Sequence, residues 1–134
     1  MKVIVCIDDN QGMLFNKRRQ SRDRKVMEDI AAMTPAVLIN SFSVKLFEEN
    51  GSMPDVIVDE NFLENAGDGE YCFVENCQLA PYLDKIEELI IYHWNRKYPA
   101  DFKLDLPYKK WKKTSKTEFA GFSHEKITKE IYRL

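Results

Sequence analysis

The chain lacks most of the linear signatures that announce a function. Its three cysteines, Cys6, Cys72 and Cys77, are odd in number and follow no framework spacing, which excludes a disulfide-stapled scaffold and fits a reducing compartment. Cys72-x4-Cys77 has no second Cys or His pair to complete a zinc site, so no metal is expected. The only histidines are His93 and His124. A nuclease of the metallo-β-lactamase type needs a His-x-His-x-Asp-His cluster and further ligands to hold two zinc ions, and two isolated histidines cannot supply it. A Gly-x-Ser-x-Gly elbow, a Walker loop, His-Glu-x-x-His and a Cys-His nucleophile arrangement are all missing. No apolar run is long enough to span a membrane, and the N-terminus has neither the basic flank nor the long apolar stretch of a signal peptide. A cytoplasmic protein with no membrane partner is expected.

Charge of one sign is missing locally. Between Leu46 and Leu83 there are nine acids and no base, whereas Lys17 to Lys25 holds six bases and one acid, and Arg96 to Lys116 is basic again. The net charge of −2 hides this polarity. The acidic middle is poorly suited to a polyanion, so nucleic acid, although a candidate partner for Lys17, Arg18 and Arg19, is disfavoured against a small ligand or a protein. With 134 residues, 44% of them hydrophobic, the chain can bury one core, and halves would be too small to bury their own. One domain over 1–134 is expected.

What is present is a series of short apolar runs. Val3-Ile4-Val5-Cys6-Ile7 is too short for a buried helix and ends in Asp8-Asp9-Asn10-Gln11-Gly12, so it reads as a buried strand delivering a polar loop. Asp23 to Met33 has helical spacing of Val26, Met27, Ile30, Ala31 and Met33, with Ser21 as N-cap. Ala36 to Ile39 is a second strand, followed by a short helix through Phe47 that stops near Asn50-Gly51. Val56 to Val58 and Tyr71 to Val74 follow as strands, then a helix over Gln78 to Ile86 with Pro81 in its first turn, then a strand over Glu88 to Trp94. Trp111 to Phe119 and Lys126 to Tyr132 form an antiparallel hairpin around Gly121. Alternating strands and helices predict an α/β domain with a largely parallel sheet.

The order of residues resembles the dihydrofolate reductase family. Leu89-Ile90-Ile91-Tyr92-His93, Asp101, Trp111, Thr117-Glu118-Phe119 and the closing Ile127 to Arg133 are similar to its last third, and Ile4 to Met13 to its first strand and the start of its mobile active-site loop. The resemblance implies a three-layer α/β/α fold with a mixed, mostly parallel central sheet and a C-terminal antiparallel hairpin. It implies ligand contacts at Cys6, Ile7, Gly12, Met13, Thr34 and Tyr92, and it sets Asp23 in the place of the catalytic carboxylate.

The departures concern the cofactor. The family's Gly-Gly pair after the fourth strand, where the backbone approaches the NADPH diphosphate, is Val74-Glu75-Asn76 here. Its Gly-Arg-x-Thr is Asn40-Ser41-Phe42-Ser43, its glutamate-binding Arg falls at Met53-Pro54-Asp55, and Leu46 to Phe73 is shorter than the family's adenosine-binding segment. Losing such charge-assisted anchors together argues against NADPH and against ordinary dihydrofolate reduction. The expectation is therefore a non-reductase derivative that binds a small ligand or partner, against an atypical reductase or pterin enzyme, or a nucleic-acid module using residues 17–25. Asp23 has a plainer reading beside its catalytic one: a first-turn carboxylate favoured by the helix dipole, with Arg22 and Arg24 lowering its pKa. Asp8, Asp9 and Asn10 read first as a turn.

Overall fold

A computed structural model describes residues 1–49 and 54–134. The expected helix stop at Asn50-Gly51 lies outside them, as does Met53. The strands are β1 (Lys2–Ile7), β2 (Gly12–Phe15), β3 (Arg18–Arg19), β4 (Ala36–Ile39), β5 (Asp55–Val58), β6 (Tyr71–Phe73), β7 (Glu88–His93), β8 (Phe102–Lys103), β9 (Lys112–Phe119) and β10 (Ile127–Arg133). The helices are α1 (Arg24–Met33), α2 (Val44–Glu48) and α3 (Phe62–Asn65). Seven strands form one mixed sheet in the order β5-β4-β6-β1-β7-β10-β9. The first strand is its middle, bonded in parallel to β6 and β7, and β10 runs antiparallel to β7 and β9.

Alternation along β1 divides the core. Ile4 packs with Val26, Met27 and Ile30 of α1, while Val3, Val5 and Ile7 face the layer formed by α3, Leu89, Ile91 and Tyr108. Burial on both faces is why β1 reads as a continuous apolar run. In β7 the same alternation sends Ile90 and Tyr92 to the α1 face and Leu89 and Ile91 to the other.

The structure departs from expectation in three places. The N-cap of α1 is Asp23, whose backbone is extended and whose Oδ1 accepts the Lys25 N–H at 2.8 Å; Ser21 is turned to other partners. Residues Ala80–Lys85 form a 3₁₀ segment where Gln78 to Ile86 was expected as an α-helix. The Leu79 and Ala80 N–H groups donate to the Asp105 carboxylate, and the chain reaches β7 before a full α-helix develops. Third, a small sheet in the order β3-β2-β8 was not foreseen, because two of its strands are only two residues long and carry no periodicity. Its hairpin turns at Asn16-Lys17, both with positive φ (54° and 63°), as a two-residue loop matching strand twist requires.

Gly12 ends the Asp8 loop at a point of close approach. A Cβ there would lie 2.5 Å from Gln20 Nε2, 2.6 Å from Ala100 Cβ and 2.9 Å from Asp8 Oδ1. Gly12→Ala is expected to destabilise the fold by roughly 1–3 kcal/mol through overpacking, read as a lower urea midpoint at unchanged slope.

Candidate functional site

The carboxyl ends of parallel strands are where α/β sheets gather ligands, because loops diverge there. Here the ends of β1, β6 and β7 meet the N-terminus of α1 and Leu46 of α2. Between them lies a cavity of about 20 Å³, bordered by Cys6, Met13, Asp23, Met27, Glu75 and Trp94 among others. That is room for about one water molecule.

One wall of the cavity carries a partly buried ion pair. Arg19, on β3, gives Nη2–H to Glu75 Oε1 at 2.7 Å and Nε–H to Oε2, and Ser43 Oγ–H donates to Oε1 at 2.7 Å. Both carboxylate oxygens are satisfied, as a buried charge needs. The pair ties the β2–β3 hairpin to the loop after β6. Beside it, burial and the Glu75 charge push the Cys6 thiol pKa up, outweighing Arg19. The thiol stays protonated and is a poor nucleophile.

A second network starts from Asp23. Its Oδ1 accepts the N–H groups of Lys25 and Phe122 at 2.8 Å each; Oδ2 accepts the Ser123 N–H at 2.9 Å and lies 2.8 Å from His124 Nδ1. His124 is buried and stacks on Trp94, with ring centroids 4.7 Å apart. Its Nε2 is 3.0 Å from Ser21 Oγ and 3.2 Å from Tyr98 Oη. Burial alone would raise the Asp23 pKa, but the hydrogen bonds from His124, Phe122, Ser123 and Lys25 overcome it and lower it from 3.8 to about 2. The direction is the one expected from the sequence; the cause is these donors, not the flanking arginines.

A third feature is an open groove of about 560 Å³ on the outer side of the same corner. It is lined by Lys17, Arg18, Arg19, Gln20, Ser21, Arg22, Phe42 and Lys45. Five cations and no carboxylate line it. Arg22 pairs with Glu49 at the rim.

The structure gathers Cys6, Met13, Asp23 and Arg19 around the cavity, and Lys17, Arg18 and Arg19 in the groove. Ile7 faces the opposite layer of the core. Gly12 backs the Asp8 loop, and Thr34 caps the far end of α1, bonding to Ala36. Tyr92 is buried against α1 and donates to Asp29 at 2.5 Å; burial, then Asp29, push its pKa up. Asp8 makes a turn, accepting the N–H groups of Asn10 and Gly12 at 2.9 and 2.7 Å. His93 sits on the face away from α1, 2.6 Å from Glu130. Sequence reasoning missed His124 as the partner of Asp23 and Ser21 as the partner of His124. Ser21-x-Asp23 is too common a spacing to stand out, and His124 comes from a distant turn.

No protein-family profile matches the sequence, and no curated protein matches it at a significant level. Solved structures do match. A dihydrofolate reductase from Enterococcus faecalis, complexed with NADP(H) and RAB-propyl, superposes with a TM-score of 0.67 over 98% of this chain and 94% of that one, at 8% identity. The fold is dihydrofolate-reductase-like.

Asp23 gives a pH signature. Its folded pKa lies below the unfolded value, so its contribution is present above about pH 4 and is lost as pH falls through about 2. Asp23→Asn should lower stability at neutral pH by roughly 2 kcal/mol and flatten the acid limb of a denaturation series between those values.

Proposed function

We propose that this protein uses a dihydrofolate-reductase-like fold to bind a small anionic ligand, and that it is not an NADPH-dependent reductase. One contrast carries the reading: the cleft interior is about 20 Å³, while the groove outside it offers about 560 Å³ lined by five cations, two of them, Arg19 and Arg22, paired with Glu75 and Glu49. The larger volume is in the range of small-molecule sites, the smaller one is not.

The cofactor of the family does not fit the residues present. Where the resemblance sets the diphosphate against a Gly-Gly pair, Val74 is buried and the Glu75 carboxylate is already bonded to Arg19 and Ser43. A diphosphate there would face a carboxylate and displace its partners.

The groove favours a carboxylate or phosphate group. Arg18 can grip one with two parallel N–H donors, and Lys17 and Lys45 add point charges. A small ligand is preferred to a nucleic acid because the stretch from Leu46 to Leu83 is acidic throughout and interrupts the cationic track that a polyanion needs.

A thermal-shift titration tests this directly, since a ligand of the folded state raises its stability. Citrate or pyrophosphate should raise the melting temperature saturably, and Arg18→Glu should weaken that binding roughly tenfold, about 1.4 kcal/mol. NADPH with dihydrofolate should give no turnover. Saturable NADPH binding with turnover overturns the reading, and preference for short RNA over small anions replaces its ligand class.

A further inference from the structure

The Asp23 network has the arrangement of a nucleophile, a base and an orienting acid. A carboxylate held ionised by four donors can only accept, so the hydrogen between Asp23 Oδ2 and His124 Nδ1 belongs to the imidazole. With Nδ1 protonated, the neutral ring presents a lone pair at Nε2, and Ser21 Oγ–H, 3.0 Å away, is its nearest donor. Stacking on Trp94 and burial fix the ring plane. Ser21 is only half-buried and borders both the cavity and the cationic groove, so its oxygen is reachable while the acid and base are shielded. These are the positional requirements of a serine nucleophile, recognised by geometry whatever the chain order.

We propose that Ser21, His124 and Asp23 form an acyl-transfer site, with Ser21 as nucleophile, His124 as general base and Asp23 as the positioning residue. Ser21 Oγ bonds to the acyl carbon of an ester while its proton passes to His124 Nε2. The tetrahedral intermediate collapses by breaking the ester C–O bond, and the leaving alcohol takes the proton from His124. Water, deprotonated by the same nitrogen, then releases the acid and restores Ser21. Lys17, Arg18 and Lys45 line the groove that Ser21 borders and supply the positive field in which the oxyanion develops, Arg19 and Arg22 being paired with Glu75 and Glu49. The substrate class, an ester carrying a carboxylate or phosphate on its acyl part, rests on the groove reading above; the nucleophile does not.

Tyr98 is the competing donor. Its hydroxyl lies 3.2 Å from His124 Nε2 and 3.4 Å from Ser21 Oγ. With Ser21 donating to the ring, Tyr98 donates to Ser21 Oγ and holds the serine in place.

The test treats the full chain with an alkyl fluorophosphonate, whose P–F bond is broken by an activated serine with release of fluoride, and maps the adduct by peptide mass spectrometry. A single adduct at Ser21 is expected in the wild type, absent in Ser21→Ala. His124→Ala should slow labelling by roughly 100-fold or more, and added imidazole should restore part of the rate, which a merely structural histidine would not allow. Asp23→Asn keeps a capping side chain and should slow labelling even where its melting curve stays cooperative. No adduct in the folded wild type, an adduct at Ser123 instead, or labelling indifferent to His124 overturns the proposal. Wild-type mapping decides even if a variant fails to fold. Among 4-nitrophenyl esters, a glutarate half-ester should be cleaved about tenfold faster than the acetate. Labelling at Ser21 with no such preference removes the anionic substrate class and leaves the nucleophile standing.

Discussion

One buried carboxylate joins parts of the chain that are otherwise far apart in sequence. Asp23 caps α1, accepts the N–H groups of Phe122 and Ser123 in the turn before β10, and holds the ring of His124. A cap alone contributes about 1 kcal/mol. This one also orients the helix against the sheet, because the turn it grips leads directly into β10, which is bonded to β7. The site-bearing corner of the molecule depends on that anchoring. Gly121 marks how close the approach is: a Cβ there would fall 2.7 Å from Asp23 Oδ2.

The sheet was legible because its signals are local. β1, β4 and β7 are apolar runs bounded by turn residues, and such runs declare buried strands without reference to the rest of the chain. Helix α1 was legible from spacing for the same reason. The small sheet β3-β2-β8 was not, since Arg18–Arg19 and Phe102–Lys103 are polar or mixed pairs whose pairing is set by a turn of positive φ at Asn16-Lys17 and by tertiary contact. Pro81 marked a helical start, but the extent of that segment was decided by Asp105, which comes later in the chain.

The candidate site was legible only in its departures. Val74-Glu75 stood out against a glycine pair, and the basic run 17–25 stood out against the acidic middle. What the sequence alone could not show is that these two anomalies touch: Arg19 from the basic run neutralises Glu75 from the acidic one. A glutamate that looked like a repulsive group facing an anion is an internal partner instead. Likewise Asp23, read as a first-turn acid beside two arginines, has its charge held by a histidine and three backbone groups.

These two networks are built from one short stretch. Arg19 locks the β2–β3 hairpin onto Glu75, and Ser21 and Asp23, two and four residues on, face His124. The chain between Arg19 and Asp23 has little freedom, because its ends are fixed by a partly buried ion pair and a buried cap. Ser21 is therefore positioned by both constraints together. Glu75 carries the charge that Arg19 answers, and the hairpin held by that pair is the one that carries Ser21 to His124. The ion pair beside the cavity therefore supplies one of the two fixed points that set the Ser21 hydroxyl against His124.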